Sequence, residues 1–327
     1  MDPLTIQSLQ SFIFGFKNSD IPDVKKIIKE YSIGGLILFA ENIPDHKSVS
    51  QLIKEFQSFS KTPLFISLDQ EGGRVRRIKK GITEMPDMSD LGEENNPNKV
   101  YNLSKNLAKD LKKIGFNLNY APVLDVDFHV GSDSVIGKRS FGSEPKKVAE
   151  LAWMYAKGML DGGVIPVGKH FPGHGLTSKD SHNILPVIDT DIITLGQSLL
   201  PFKIAIENGI PALMLGHLNI KNYCDNDLPA TLSKTVIEQI KKIFDFKGMV
   251  VSDDLPMKGI TEKFTVPEAS LLAYQAGCDL LMISGFLDDQ VQAIERMISA
   301  VERGKVSKKR ITDAFNRVIN IKEKFNF

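Results

Sequence analysis

Short apolar runs alternate with longer amphipathic stretches along the whole of the 327-residue chain. The apolar runs are G-G-L-I-L-F-A (34–40), P-L-F-I-S-L-D (63–69), N-L-N-Y-A-P-V-L-D-V (117–126), V-I-P-V-G (164–168), P-A-L-M-L-G (211–216), G-M-V-V-S-D (248–253) and C-D-L-L-M-I (278–283), with a weaker one, F-I-F-G-F, near residue 14. They are apolar throughout instead of alternating, the pattern of strands covered on both faces in a parallel sheet. Between them the period becomes helical. Val148, Leu151, Tyr155 and Met159 fall on one helix face that starts after Ser143-Glu-Pro and stops at Gly162-Gly163; Val236, Ile240 and Ile243 repeat the spacing later. Seven clear βα units and one weaker one predict an α/β fold, a (β/α)8 TIM barrel spanning residues 1–327 as a single domain. A doubly wound open sheet is the competitor. Its dinucleotide-binding version is weakened because no G-x-G-x-x-G follows the first strands, and no P-loop is present either. No Pro/Ser-rich linker or composition break marks a second domain.

Charge changes the picture by exclusion. The formal net charge is +1 and Lys and Arg are spread along the chain, so nothing points to nucleic acid or an anionic membrane, and a neutral or modestly charged small substrate fits better. The start, M-D-P-L-T-I-Q-S-L-Q, has neither the basic end nor the apolar core of a signal peptide, and no segment reaches transmembrane length. Cytoplasmic residence is the expectation. Cys224 and Cys278 lack C-x-x-C spacing, so they predict reduced thiols, at least one in the core, and neither a disulfide framework nor a zinc site.

In a parallel barrel the reactive groups project from the C-terminal ends of the strands. The polar residues after the apolar runs are Asp69-Gln-Glu-Gly-Gly-Arg-Val-Arg-Arg77, Asp125-Val-Asp, Ile136-Gly-Lys-Arg139-Ser-Phe-Gly, Lys169-His170, His217 and Ser252-Asp253-Asp254. The densest stretch is G-K-H-F-P-G-H-G-L-T-S-K-D-S-H-N-I-L-P (168–186). His170, His174, Asp180 and His182 are metal-ligand types, and two histidines four apart resemble a zinc-binding helix. Phe171-Pro172-Gly173 lies between them and breaks the helix that would align the rings. Acid/base chemistry is the other reading. Asp180 beside His182 would orient the imidazole and stabilise its protonated form, and Asp253 emerging from a buried strand would supply an ionised carboxylate. A carboxylate nucleophile opposite a proton donor is the machinery of retaining glycoside hydrolysis, here with histidine in place of a carboxylic acid. The residues alone equally allow Asp253-Asp254 as a helix N-cap and Asp180 as a turn residue. They reach a barrel enzyme with a carboxylate–histidine pair and do not select a sugar.

Five ordered segments, D-Q-E-G-G-R-V-R-R (69–77), I-G-K-R-S-F-G (136–142), K-H-F-P-G-H-G (169–175), D-S-H (180–182) and S-D-D-L-P-M (252–257), resemble the family 3 glycoside hydrolases of the β-N-acetylhexosaminidase branch, from about residue 30 to the C-terminus. The resemblance implies a TIM barrel and a retaining exo-enzyme that hydrolyses terminal non-reducing β-linked N-acetylglucosamine without a metal or other cofactor. It assigns Asp253 as nucleophile, His182 as acid/base and Asp180 as its partner. Asp69, Arg77, Arg139, Lys169 and His170 become sugar-binding residues, His174 a structural support of the loop base, and Asp254 a support of the turn. Other branches carry a second domain that supplies a glutamate acid/base; this chain ends shortly after a helix predicted over Ile311 to Phe325, which agrees with the D-S-H loop. The substrate implied is a small carbohydrate, a muropeptide of cell-wall recycling or an oligosaccharide, taken by a cytoplasmic monomer. Release of the sugar to phosphate by a phosphorylase on the same scaffold is the nearest alternative. A metal-dependent hydrolase and a non-catalytic sugar-binding protein are alternatives of other classes.

Overall fold

Each apolar run becomes a parallel strand, because a fully apolar run can satisfy its backbone only in a ladder covered on both sides. The computed structural model describes residues 1–129 and 134–327. The strands are β1 (Phe12–Gly15), β2 (Gly35–Ile37), β3 (Phe65–Leu68), β4 (Leu118–Asn119), β5 (Ile165–Phe171), β6 (Ala212–Leu215), β7 (Met249–Ser252) and β8 (Leu281–Ile283). They pair in chain order and β8 returns to β1. Between β7 and β8 a parallel bridge joins Val251 to Leu280, and Ser252 N donates to Leu280 O at 2.9 Å. The weak first strand is therefore real, and the fold is the (β/α)8 barrel; the open-sheet alternative falls.

Side chains alternate along the strands and make two cores. Ile13, Ile37, Phe65, Ile165, Val167, Met214 and Val251 point inward and fill the barrel. Phe12, Phe14, Leu36, Ile66, Leu213 and Val250 point outward against the helices. The predicted helix is Pro145–Gly162, with Val148, Leu151, Tyr155 and Met159 all buried and Gly163 ending it at φ 85°. The later helix is Lys234–Lys242 and buries Val236 and Ile240. Ile243 is a correction: the helix has ended, its side chain is 72% exposed, and Phe246 fills the core instead. Among the described residues no helix is long and apolar enough to cross a membrane.

The bottom of the barrel is closed by the helix Lys308–Lys324. Its Lys322 is buried and donates to Gln10 Oε1 at 2.9 Å and Gly34 O at 3.0 Å, and burial pushes its ammonium down to about 7. Arg317 forks onto the fully buried Asp279 at 2.9 and 2.8 Å, beside the seam between β7 and β8. The mouth at the opposite end carries the polar residues.

Candidate active site

The segment after β3 must turn sharply to bring its arginine back over its aspartate. Gly72 makes this feasible: its φ is +129°, and a Cβ there would come within 2.6 Å of Pro86 O. Gln70 Oε1 accepts from Arg77 N at 2.8 Å and from Ile78 N at 3.0 Å, and the Tyr155 hydroxyl lies 3.0 Å from the carbonyl oxygens of Gln70 and Glu71. The helix Pro145–Gly162 thus anchors this loop. On that base Arg77 Nη2 donates to Asp69 Oδ2 at 2.9 Å, and Lys169 Nζ donates to Asp69 Oδ1 at 2.8 Å and Glu71 Oε1 at 2.7 Å. Arg139, at the end of a short 3-10 turn (Gly137–Arg139), forks onto Glu71 through Nε at 2.9 Å and Nη2 at 2.8 Å.

The strand containing Lys169 and His170 is longer than its apolar run predicts. β5 continues to Phe171, and its register against β6 shifts between Gly168 and Phe171. Consecutive strand residues normally face opposite ways; the irregularity lets both Lys169 and His170 line the mouth. The run 117–126, by contrast, is cut to two strand residues plus an isolated bridge from Val123 to Lys169. Pro122 has no N–H to donate, and Asn119 spends its side chain on Gln70, accepting from its N and donating to its O at 2.9 Å each. The rest of the run delivers Asp125, fully buried, which accepts from His170 Nδ1 at 2.7 Å and from His174 N at 2.6 Å. Arginine can only donate, so the 3.3 Å contact from Arg139 Nη2 makes His170 Nε2 the acceptor and puts the imidazole proton on Nδ1, toward Asp125.

Electrostatics keep this floor ionised. Burial would raise Asp69 and Glu71, but Lys169 and Arg77 outweigh it at Asp69, and Arg139 and Lys169 at Glu71, so both carboxyls lie below their usual range. Burial would lower Lys169, yet Asp69 and Glu71 raise it. Asp253 follows β7, with its N–H donating to Leu215 O at 3.0 Å. Burial raises it, but the surrounding His217 and His170, the Asp254 N–H that donates to its Oδ1 at 2.8 Å, and the Lys169 ammonium together hold it below the usual carboxylate range. Asp254 behaves oppositely. Burial dominates and pushes it up to about 6, against hydrogen bonds from Ser284. It accepts from Ser284 N at 2.7 Å and contacts the Ser284 hydroxyl, tying the end of β7 to the end of β8. That is a support of the turn, not a helix cap.

Asp180 and His182 lie on the loop above. Asp180 Oδ1 accepts from His182 N at 2.9 Å and from His182 Nδ1 at 2.8 Å. Asp180 is therefore a turn residue and an imidazole partner at once. Burial raises Asp180 and the bonds from His182 lower it further, so it stays a carboxylate. Seven of the eight predicted site residues line one cavity of about 210 Å³: Asp69, Arg77, Arg139, Lys169, His170, His182 and Asp253. Asp180 lines an adjoining cavity of about 210 Å³ together with Arg139, His170, His182 and Asp253. Among the described residues no group of three or more His, Cys, Asp and Glu side chains is placed to hold a metal ion. His170 and His174 do approach, as a T-shaped ring pair with centroids 5.7 Å apart.

Sequence reasoning missed Glu71 as a member of the site. Its signal is present, two residues beyond Asp69 in D-Q-E, but its partners Arg139 and Lys169 are distant in the chain and meet it only through the barrel. His217, after β6, is a candidate to which the sequence gives no role. It is fully buried beneath Asp253, 2.9 Å from Asp254 O through Nε2 and 2.9 Å from Thr231 Oγ1 through Nδ1.

A closed parallel barrel whose mouth sets an ionised carboxylate, interlocked ion pairs and an imidazole–carboxylate pair around two adjoining cavities fits the framework of a glycoside hydrolase. The chain belongs to glycosyl hydrolase family 3, whose N-terminal domain model matches residues 6–321. It is 35% identical over 268 residues to a β-hexosaminidase of Neisseria gonorrhoeae, covering 79% of this chain and 73% of that one. To a β-hexosaminidase of Thiobacillus denitrificans it is 36% identical over 285 residues, covering 83% and 77%. Its fold superposes with a TM-score of 0.94 and 34% identity on a family 3 β-N-acetylglucosaminidase from Paenibacillus sp. FPU-7, covering 99% of this chain and 63% of that one. The chain thus spans less than two thirds of the length of the Paenibacillus protein.

Proposed function

We propose that the chain is a retaining exo-β-N-acetylglucosaminidase acting through a glycosyl-enzyme on Asp253. The observation that carries this reading is the shared cavity: a half-buried anion at the strand end and an imidazole backed by a carboxylate face the same space. Asp253 attacks the anomeric carbon as the glycosidic C–O bond breaks, and His182 gives its Nε2 proton to the leaving oxygen. Its Nδ1–H meanwhile keeps donating to Asp180 Oδ1 at 2.8 Å, so the ring is aimed. Water then attacks the anomeric carbon, His182 takes its proton, and the Asp253 carboxylate departs. Asp69 accepts hydrogen bonds from sugar hydroxyls while Arg77, Arg139, Lys169 and His170 fix the ring; bonds that tighten as it distorts lower the barrier.

Beside the cavity under the loop lies a wider hollow of about 580 Å³ whose rim includes Arg74, Arg76 and Lys138 against Glu84 and Asp87. Among the described residues Arg76 pairs with Glu84 at 3.0 Å and Lys138 with Asp87 at 3.5 Å, which leaves Arg74 as the cation that favours a carboxylate-bearing muropeptide, and hence cell-wall recycling, over a neutral chitin fragment. Both cysteines are free thiols, which fits the reducing cytoplasm. The test is product analysis on N-acetylglucosaminyl-anhydromuramyl peptide and on chitobiose, with and without phosphate. Free N-acetylglucosamine in both conditions, released faster from the muropeptide, is the expected result. A sugar 1-phosphate formed only with phosphate would replace hydrolysis by phosphorolysis.

A further inference from the structure

Between the two members of the Asp180–His182 pair stands a residue the chemistry does not use. Ser181 is 1% exposed, whereas the side chains of Asp180 and His182 are 41% and 68% exposed. A loop residue buried between two exposed neighbours is pinned by something, and Ser181 is pinned twice. Its hydroxyl lies 2.9 Å from His174 Nε2, and its carbonyl accepts from Gly259 N at 3.0 Å. Gly259 belongs to the turn of helix Lys258–Thr261 that follows the nucleophile strand, and a Cβ there would come within 3.0 Å of Ser181 O and 3.1 Å of His217 Cβ. The loop is thus clamped between β5's continuation on one side and β7's on the other. His174 is itself held fast, buried, with its N–H on Asp125 Oδ1, the carboxylate that also orients His170 at the sugar edge.

We propose that His174 and Ser181 form a latch that holds the acid/base loop over the pocket, so that both are positioning residues for proton transfer and Asp125 joins the latch to the sugar-binding edge. The inference rests on the reading of His182 as the acid/base. Among the described residues His174 Nδ1 has no hydrogen-bond partner, so ring protonation would bury an unpaired N–H with a charge. Burial and the neighbouring His170 hold the ring neutral, its pKa down at about 4, so the latch keeps one form through the neutral range.

Two variants test it in the full chain: Ser181→Ala, which removes only the hydroxyl, and His174→Gln, whose amide can keep a donor near the Nε2 position. Hydrogen–deuterium exchange of the segment 177–186 should rise about three- to tenfold in S181A, the loss of one hydrogen bond, with the strand 165–171 unchanged. H174Q, which keeps a donor to the Ser181 hydroxyl, should raise that exchange by less than S181A does. Turnover of an unactivated disaccharide should fall about tenfold in S181A while an aryl glycoside with a good leaving group changes by less than about twofold. Unchanged exchange in S181A overturns the latch. Raised exchange with equal losses on both substrates overturns its positioning role. His182→Ala, measured alongside, judges the underlying assignment separately: no leaving-group dependence there rejects His182 as the acid, and the exchange result still decides the latch.

Discussion

The floor of the pocket and the loop above it solve opposite problems with the same residue types. Asp69, Glu71, Lys169 and Arg139 interlock at 2.7 to 2.8 Å with Lys169 and Glu71 almost wholly removed from water, whereas Asp180 and His182 bond to each other and stand largely in solvent. A binding group must not change protonation or geometry when the substrate arrives, and desolvated, mutually neutralised charges on strand ends meet that need. A proton carrier must change protonation twice per cycle, which a buried ion pair would resist and a solvated imidazole permits. Asp253 lies with the floor, its carboxyl held below the usual range as those of Asp69 and Glu71 are.

The largest effect that could break this contrast is at Asp253. Asp253→Asn should lower kcat by about 10⁴-fold or more on every substrate, including aryl glycosides with good leaving groups, because no covalent intermediate can form. It should also block covalent labelling by a 2-deoxy-2-fluoro sugar, read by intact-protein mass. Label appearing on Asp69 or Asp254 would move the nucleophile elsewhere on the floor.

Next in size is the loop. His182→Ala should lower kcat/KM by about 10² to 10⁴ on a natural disaccharide and far less on an aryl glycoside whose leaving group needs no proton. Floor variants should show no such dependence on the leaving group; Arg139→Ala, for example, should raise KM and lower kcat on both substrates alike. Equal losses for H182A on both substrates would erase the distinction between floor and loop.

The contrast also explains what could be read from sequence. Runs such as 211–216 and 248–253 became strands where expected, because an apolar stretch of that length has one way to be buried. The run 117–126 failed because hydrophobicity says nothing about a missing N–H at Pro122 or an amide at Asn119 diverted to Gln70. Ile243 matches the helical period and lies outside the helix, since periodicity does not mark where a helix ends. Asp180, His182 and Asp253 were legible as types and as segments of a resemblance. Glu71, Asp125 and Ser181 lie in the candidate segments but get no role from the sequence, because their partners, 68, 45 and 7 residues away, meet them only through the barrel and its loops.

The smallest effect sharpens the comparison within the floor itself. Asp253 and Asp254 are adjacent and both half-buried, yet one is held below and the other above the usual carboxylate range, at about 6 for Asp254. For Asp254 the sign is that of any carboxyl whose folded value exceeds its unfolded value of about 3.9: below pH ~4 it is protonated in both states and costs nothing. As pH rises from about 4 to 6 the unfolded chain ionises first, so the folded state loses stability, and above about 6 the penalty is constant. Asp254→Asn cannot titrate. In denaturant melts followed across pH, its stability relative to the native protein should therefore rise by up to about 3 kcal/mol between pH ~4 and 7 and then level off. A difference that stays flat over that range would mean that the two Ser284 donors keep Asp254 ionised like its neighbour. All the floor's carboxylates would then be charged at once, and the separation between a fixed floor and a proton-carrying loop would be complete.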